Sequence, residues 1–314
     1  MGKIGTTGLD VFPLCLGGNV FGWTADEAQS FAVLDAYAAG GGNFVDTADS
    51  YSFWVPGHTG GESETIIGRW MAARGNRDEM VIATKVGMSP GLEGLAAKTV
   101  RAAAEASLER LGTDRIDLYY THRDDPATPV EETLAALDDL VRAGKVRHIA
   151  ASNFGASRLA EALAVSDREG LARYVALQPH YNLVERGDYE GELAALCARE
   201  HLSCVPYFAL AKGFLTGKHR PGTRVPSARA EGARAYLDER GVRVLDALDR
   251  VAAAQGTTVA AVALAWLRVQ PTVVAPIASA RTPEQVADLL PVAGLTLSAD
   301  EVAALDAAAG PPRD

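Results

Sequence analysis

Gly41-Gly42-Asn43-Phe44-Val45-Asp46-Thr47-Ala48-Asp49-Ser50-Tyr51 is the stretch that predicts both the fold of this chain and the position of its chemistry. The apolar pair Phe44 and Val45 follows a glycine cluster, which is typical of a buried strand. Asp46 ends that strand, and Tyr51 lies in the loop beyond it. Because α/β folds carry their functional residues after the carboxyl ends of parallel strands, we expect a carboxylate and a phenol at one mouth of a sheet.

Apolar runs of strand length alternate with helix-like stretches along the whole chain. The runs span residues 14–16, 43–45, 80–84, 116–120, 148–151, 174–177, 203–205 and 272–275. The helix-like stretches, with apolar residues every three or four positions, span 25–39, 62–73, 95–111, 130–143, 156–165, 189–200, 242–254 and 283–290. Eight strand-then-helix units predict a (β/α)₈ TIM barrel. A doubly wound sheet is the alternative, but neither GxGxxG nor a P-loop follows any strand.

Further elements are predicted around this barrel. Residues 3–5 and 9–12 form a β-hairpin ahead of it, and residues 258–267 and 298–308 form extra helices. The segment 208–240 is rich in Gly, Pro, Arg and Lys and is too long for a plain connection, so we expect a functional loop over one barrel mouth. No linker interrupts the pattern, and residues 1–314 are therefore predicted to form a single domain.

The composition limits the classes of partner. With 40 acidic and 30 basic residues the net charge is -10, which argues against a nucleic-acid or anionic-membrane surface. The three cysteines lack CxxC spacing and suit a reduced compartment, and no metal-ligand spacing is present. Without a signal-like segment or a membrane-length apolar run, we expect a cytoplasmic protein with no membrane partner and no metal. The oligomeric state stays open.

Three strand ends carry polar residues that can act with Tyr51. Asp46 ends the second strand, Lys85 the third and His122 the fourth, so all three are expected at one barrel mouth. An ion pair of Lys85 with Asp46 keeps both charged, and the ammonium should lower the pKa of Tyr51 below its free value of about 10. Such a phenol is a general acid toward a carbonyl oxygen, which His122 can polarise. Singly, each residue also suits a structural role as a cap, a surface charge, a satisfied histidine or a packed ring.

These motifs resemble those of a known family. Phe44-Val45-Asp46-Thr47-Ala48-Asp49-Ser50-Tyr51, Ala83-Thr84-Lys85 and Leu118-Tyr119-Tyr120-Thr121-His122 are similar to the three signatures that carry the Asp, Tyr, Lys and His tetrad of aldo-keto reductases. The resemblance implies NAD(P)H-dependent reduction of an aldehyde or ketone. It makes Tyr51 the proton donor, Lys85 and Asp46 its tuning pair, and His122 the residue that orients the carbonyl.

The resemblance also implies a nicotinamide cofactor site at the later strand ends. Ser152, Asn153 and Gln178 can hydrogen-bond a carboxamide, and Tyr207 matches the aromatic residue that stacks on the nicotinamide ring. Arg281 suits a 2′-phosphate, which favours NADPH, with NADH possible. The full expected set is Gly18, Asn19, Asp46, Ser152, Asn153, Gln178, Tyr207, Phe208, Leu210, Lys212, Gly213, Lys218, Ile277, Ser279, Arg281 and Gln285.

The substrate pocket is expected to draw its walls from loops near Tyr51. The expected residues are Val20, Phe21, Trp23, Phe53, Trp54, His122 and Arg123. The aromatic members predict an apolar or aromatic small-molecule carbonyl, and Arg123 could admit a carboxylate or sugar hydroxyls. Ordinary packing is the alternative for Trp23 and Trp54.

Two other functions stay open from the sequence. Lys85 could form a Schiff base with a carbonyl substrate in a barrel lyase. The chain could also be a cofactor-binding regulatory subunit with little turnover.

Overall fold

The computed structural model describes residues 1–226 and 228–312 and contains an eight-stranded parallel sheet surrounded by helices. The strands are β1 Gly2–Lys3, β2 Asp10–Val11, β3 Cys15–Gly17, β4 Phe44–Asp46, β5 Val81–Val86, β6 Met88–Ser89, β7 Leu92–Glu93, β8 Ile116–Thr121, β9 Val146–Ser152, β10 Tyr174–Gln178, β11 Ser203–Cys204 and β12 Ile277–Ala278. The α-helices are α1 Glu27–Ala39, α2 Glu62–Arg74, α3 Ala97–Leu111, α4 Val130–Arg142, α5 Ala156–Glu169, α6 Glu192–Arg199, α7 Ala230–Arg234, α8 Glu239–Gln255, α9 Val259–Arg268, α10 Pro283–Leu289 and α11 Ala299–Ala309.

The large sheet curls until its two edges meet. Its strand order is β11, β10, β9, β8, β5, β4, β3, β12, and all pairings are parallel. At the open side, the Cys204 amide donates to the Thr272 carbonyl at 2.8 Å, and the Val274 amide donates to the Cys204 carbonyl at 3.0 Å. These bonds connect β11 to the chain that leads into β12. The predicted (β/α)₈ fold is therefore confirmed.

The last strand lies later than the sequence predicts. Residues 272–275 carry the β-branched run expected of a strand, but the strand is Ile277–Ala278, which pairs with Cys15 and Leu16 of β3. The earlier residues bridge β11 instead, so the prediction of a strand at 272–275 is wrong. A second small hairpin, Met88–Ser89 with Leu92–Glu93, was not predicted at all.

The other additions to the barrel agree with the sequence. The N-terminal hairpin pairs Gly2–Lys3 with Asp10–Val11. Thr258 caps α9 by accepting from the Ala261 amide, and Ser298 caps α11 in a capping box with Glu301. Both helix starts are therefore confirmed.

Two layers of apolar side chains form the core. Alternate residues of a strand point to opposite faces, so Phe44, Ala83, Leu118 and Tyr120 fill the barrel interior. Ile4, Leu9 and Val11 of the hairpin region belong to this interior cluster. The larger cluster lies between the strands and the helices. Lys85 lies two residues after Ala83 on β5, on the same interior face, and is likewise fully buried, which places its ammonium inside the barrel mouth.

The long segment 208–240 contains a 3₁₀ helix, Ala211–Thr216, and α7. Phe208, Ala211 and Lys212 all have left-handed φ angles, between 48° and 58°. Such angles are rare outside glycine and tend to cluster at functional sites. Ser227 of this segment lies outside the described residues.

Among the described residues, no single helix is long and apolar enough to cross a membrane; α8 and α9 pass that test only as a pair bent by 96°.

Candidate active site

Lys85 is the centre of the candidate site. Its Nζ lies 2.6 Å from Asp46 Oδ2, 2.9 Å from the Tyr51 hydroxyl and 2.7 Å from the Thr47 carbonyl oxygen. The Tyr51 hydroxyl also lies 3.4 Å from Asp46 Oδ2. An ammonium has three N–H groups, so these three partners use all of them. The strand ends thus bring the predicted acid, amine and phenol into mutual contact.

The ionisation of this cluster differs in part from the sequence prediction. Burial would lower the pKa of Lys85, but the Asp46 carboxylate and Tyr51 raise it above its usual value. Lys85 is therefore charged at neutral pH. Burial raises the pKa of Tyr51 to about 12, and the opposing effect of Lys85 is smaller. The prediction that the pKa of Tyr51 falls below its free value is therefore wrong for this structure, and the phenol keeps its proton at neutral pH.

His122 lies beside Tyr51, with 6.1 Å between the two ring centroids. Burial, and then the charges of Lys85 and Arg123, hold the pKa of His122 well below its usual range. The imidazole is therefore neutral. Its Nδ1 has no hydrogen-bond partner among the residues that the structure describes. A neutral imidazole can donate one hydrogen bond without adding a charge to the cleft.

A hydrogen-bonded network joins the predicted carboxamide-binding residues to this cluster. Gln178 Nε2 donates to Asp46 Oδ1 at 2.9 Å, and Ser152 Oγ donates to the Gln178 carbonyl at 2.8 Å. Asn153 donates to the His122 carbonyl at 2.8 Å and accepts from the Tyr207 hydroxyl at 2.8 Å. These residues thus hold Asp46 and His122 in place as well as lining the cleft.

Tyr207 presents its ring to the cleft. His180 stacks on it at 5.4 Å with an interplanar angle of 17°, and Phe208 packs at its edge at 5.1 Å. These contacts fix the ring plane of Tyr207, as a stacking platform requires.

The cleft has a volume of about 580 Å³ and collects positive charge. Four cationic side chains line it: Lys212, Lys218, Arg229 and Arg281. Burial, and then Arg281 and Arg229, lower the pKa of Lys218, which shows that these cations lie near one another. In a chain of net charge -10, such a concentration of cations fits an anionic ligand.

Of the two cofactor residues expected after β3, Asn19 lines the cleft and Gly18 does not. Gly18 lies behind Asp46: its amide donates to the Asp46 carbonyl at 2.7 Å, and a Cβ there would lie 2.8 Å from Ser63 Oγ. It does not line the cleft. Asn19 does, and its Oδ1 accepts from Ser279 Oγ at 2.7 Å, which ties the loops after β3 and β12 together.

An aromatic wall borders the cleft next to Tyr51. Trp54 lines the cleft and packs edge-on against Tyr51 at 6.3 Å and against Trp23 at 5.6 Å. Phe53 packs on Trp54 at 5.5 Å but does not line the cleft, and both Phe53 and Trp54 are 42% exposed. Val20 lines the cleft as expected.

Besides Phe53, three expected substrate residues lie outside the cleft lining. Phe21 is fully buried in the core, since its loop turns inward after β3. Trp23 supports Trp54 from behind, with the Arg229 guanidinium over its ring at 5.4 Å. Arg123 is exposed and does not line the cleft, although its charge affects His122.

The remaining expected cofactor residues do line the cleft. They are Phe208, Leu210, Gly213, Ile277 and Gln285, with Gln285 Oε1 accepting from the Arg281 amide at 2.9 Å. Met88 and Arg229 also line the cleft, although neither is predicted from the sequence. Met88 follows Lys85 at the same barrel mouth, and Arg229 belongs to the predicted functional loop. Their places in the chain are consistent with a position near the cleft, but no residue pattern singles out either one.

Among the described residues, no group of three or more His, Cys, Asp or Glu side chains is placed to hold a metal ion. All three cysteines are free and buried.

The fold and the site together define an α/β-barrel protein with an acid-base cluster at the base of a cationic cleft. A model of the Aldo/keto reductase family matches residues 13–309. The norsolorinic acid reductase stcV of Emericella nidulans is 36% identical, over 94% of this chain and 77% of its own length. The uncharacterized oxidoreductase YrpG of Bacillus subtilis is 36% identical, over 94% and 91% of the two chains. The aryl-alcohol dehydrogenase GME11368 of Pestalotiopsis microspora is 32% identical, over 93% and 77%. The chain belongs to the aldo/keto reductase family of oxidoreductases.

Proposed function

We propose that this protein reduces an aldehyde or ketone to an alcohol with NADPH, using Tyr51 as the general acid. One observation carries the proposal: the Lys85 ammonium contacts both the Tyr51 hydroxyl, at 2.9 Å, and Asp46, at 2.6 Å, at the base of the cleft. A phenol that is protonated at neutral pH and bonded to an ammonium can give its proton to a developing alkoxide. The phenolate that remains is then stabilised by Lys85.

The supporting residues have separate tasks. Asp46 keeps Lys85 charged and, with the Thr47 carbonyl, fixes its direction. Neutral His122 donates a hydrogen bond to the substrate carbonyl oxygen and so polarises it without competing for the proton. Gln178 holds the second oxygen of Asp46, and Asn153 holds the backbone of His122.

The cleft residues fit a dinucleotide phosphate. When bound, the nicotinamide ring supplies the hydride. Tyr207 offers a fixed aromatic face, and Ser152, Asn153 and Gln178 offer amide and hydroxyl groups beside it. Lys212, Lys218 and Arg229 suit a pyrophosphate, and Arg281 suits a 2′-phosphate. Burial, and then the charges of Arg281 and Arg229, lower the pKa of Lys218, and a bound polyanion would offset the repulsion among these three cations.

The geometry disfavours a Schiff-base lyase. A nucleophilic lysine must be neutral with a free lone pair, whereas Lys85 has a raised pKa and three hydrogen-bond acceptors. Borohydride trapping of a carbonyl compound on Lys85 would support the lyase instead.

The experiment that tests the proposal is a panel of aliphatic, aromatic and sugar carbonyls assayed in parallel with NADPH and NADH. We expect loss of NADPH absorbance with aromatic carbonyls. Binding of NADPH without turnover of any carbonyl would support a regulatory subunit instead.

Replacing Arg281 with alanine tests the cofactor preference. We expect Arg281→Ala to weaken NADPH binding about 10-fold to 100-fold and to leave NADH binding within about threefold, because a charge-assisted bond contributes about 1.5–3 kcal/mol. Quenching of tryptophan fluorescence by each cofactor measures the Kd. Arg101→Ala, which removes a half-exposed charge from α3 outside the cleft, is the charge-matched control. Equal losses for both cofactors would contradict the 2′-phosphate assignment.

The substrate is proposed to be an aromatic carbonyl. Trp54 and Tyr51 form one side of the cleft, with Met88 among the other apolar lining residues. The names of two relatives, a norsolorinic acid reductase and an aryl-alcohol dehydrogenase, support an aromatic substrate class.

Phe53 and Trp54 offer a matched pair for this substrate assignment, since the two are equally exposed but only Trp54 lines the cleft. We expect Trp54→Ala to lower kcat/KM for bicyclic aromatic aldehydes about 10-fold to 100-fold, the effect of losing about 1.5–3 kcal/mol of aromatic contact. Phe53→Ala should stay within about threefold, given its position outside the cleft. Steady-state kinetics with aromatic and short aliphatic aldehydes measures both. A Trp54→Ala loss of the same size for a short aliphatic aldehyde would argue against an aromatic subsite.

A further inference from the structure

An unexplained buried carboxylate lies directly behind the tetrad. Asp49 is 1% exposed, and its backbone amide donates to the carbonyl of Lys85 at 3.3 Å. Neither of its side-chain oxygens makes a hydrogen bond of good geometry with a described residue, although the Gly87 amide lies near enough to affect its pKa. Buried polar groups are nearly always paired, and an unpaired buried charge is costly. The mechanism proposed above leaves this residue without a role.

A second buried acid shares the same layer between the barrel and the helices. Glu64 of α2 is fully buried and accepts from Thr84 Oγ1 at 2.5 Å and from Arg110 Nε at 2.6 Å. Thr84 immediately precedes Lys85 and pairs with Tyr119 of β8, whose hydroxyl also lacks a partner in the described chain. A polar layer therefore adjoins the strand that carries Lys85.

Arg110 can approach this layer closely because Gly61, which lies beside its guanidinium, has no side chain. A Cβ on Gly61, which has a φ of +85°, would lie 2.3 Å from Arg110 Nε. Only glycine leaves room for the guanidinium to reach Glu64. The Glu64–Arg110 pair is thus a fixed feature of the layer.

The charges around Asp49 leave it without a cation of its own. Arg110 pairs with Glu64, and Lys85 pairs with Asp46. Burial and the negative charge of Glu64 raise the pKa of Asp49 to about 7, while Arg110, the Gly87 amide and Lys85 lower it by less. Tyr119, whose pKa burial raises well above its usual value, stays neutral.

We propose that Asp49 is a positioning residue that acts through Lys85: its buried site beside Glu64 favours the protonated carboxyl below neutral pH, and loss of that proton to solvent as the pH rises weakens the effect of Lys85 on Tyr51. A second negative charge near the ammonium lowers the positive potential at the Tyr51 hydroxyl. Tyr51 then becomes a weaker acid. Protonation of Asp49 is independent of the proposed function, whereas its kinetic consequence rests on it.

The first test reads Asp49 directly and needs no turnover. In protein carrying ¹³Cγ-labelled aspartate, the carboxyl signal absent from Asp49→Asn is expected to titrate near pH 7. Because coupling is reciprocal, Lys85→Met should raise that midpoint by about half a pH unit to one unit. A signal that titrates in the ordinary acidic range, or a midpoint that Lys85→Met leaves in place, would overturn the proposal.

The second test is the pH profile of carbonyl reduction, which also decides the matter should Lys85→Met fail to fold. We expect kcat/KM of the wild-type protein to fall about threefold to tenfold as pH rises through about 7. Asp49→Asn, which is neutral at every pH, should lack this step. Asp114→Asn, at a carboxylate whose side chain is 88% exposed, should retain it. A step of equal size in Asp49→Asn would sink the proposal. If no carbonyl is reduced at all, the proposed function fails, and the carboxyl titration alone decides the role of Asp49.

The pH dependence of thermal stability is an independent test of whether Asp49 is protonated. The pKa of Asp49 is about 7 in the folded protein against a usual value of 3.8, so between these values the folded state binds the extra proton. The contribution of Asp49 to stability must therefore fall as pH rises across that window and stay low above it. The melting temperature of Asp49→Asn, measured relative to the wild-type protein, should rise from about pH 4 to about pH 7 and then level off. A difference that is constant with pH would contradict protonated Asp49.

Discussion

Tyr51→Phe should lower kcat/KM for carbonyl reduction by about a thousandfold or more while changing the Kd for NADPH less than about threefold. The substitution deletes one oxygen, which lies 2.9 Å from Lys85 Nζ and 3.4 Å from Asp46 Oδ2. The ring contacts with Trp54 and His122 do not involve that oxygen and should persist. The loss should therefore fall on proton transfer, because the deleted hydroxyl is the acid that the proposed mechanism uses.

Steady-state kinetics with an aromatic aldehyde and cofactor titration by tryptophan fluorescence measure the two halves of this expectation. Tyr181→Phe is the matched control, since it removes the hydroxyl of another buried tyrosine, one bonded to Glu190 at 2.8 Å. Its activity should stay within about threefold of wild type. Turnover retained by Tyr51→Phe would remove Tyr51 from the acid role, and a matching loss of NADPH affinity would make Tyr51 a binding residue.

The convergence of Asp46, Lys85 and His122 could be predicted because it follows from topology. Each residue directly follows a buried apolar run, and parallel strands end at the same rim of a barrel. Only the strand lengths needed to be roughly right for the three to meet. Lys85 contacts Asp46 and Tyr51, and His122 packs beside Tyr51, as this topology predicts.

The ionisation of Tyr51 could not be predicted in the same way. The sequence reveals the ammonium neighbour, which favours the phenolate, but not the degree of burial that disfavours it. Burial depends on how the loop after β4, which carries both Tyr51 and Trp54, packs against His122, a residue distant in sequence. The balance between the two effects is visible only in three dimensions.

The positions of two further features, the last strand and Arg229, could not be predicted from the sequence either. Residues 272–275 have the composition of a strand, yet β12 begins at Ile277, where the chain can pair with Cys15. Arg229 reaches the cleft from the segment between two described helical turns, and no local pattern distinguishes it from the other arginines there. Long-range pairing, not local propensity, sets both outcomes.

Lys85→Met should be the most damaging single change to the site, since it affects stability as well as activity. Lys85 and Asp46 are both buried, and removal of the ammonium leaves the carboxylate, within the described part of the chain, with only Gln178 Nε2 at 2.9 Å and the Tyr51 hydroxyl at 3.4 Å. Breaking a buried ion pair from one side typically costs about 3–5 kcal/mol. Carbonyl reduction should fall by about a thousandfold or more, because the phenolate formed on Tyr51 loses its counter-ion.

The double variant Asp46→Asn with Lys85→Met separates the two effects. It removes the unpaired carboxylate. The free energy of unfolding, measured in denaturant, should therefore be about 1–3 kcal/mol higher than that of Lys85→Met, while activity stays low. Recovery of stability without activity would show that the unpaired Asp46 carboxylate destabilises Lys85→Met, whereas the loss of Lys85 itself causes the loss of activity. Equal stability of the single and double variants would mean that the Asp46 carboxylate is already stabilised by its other partners, Gln178 and Tyr51, and would contradict the expected cost of leaving it without Lys85.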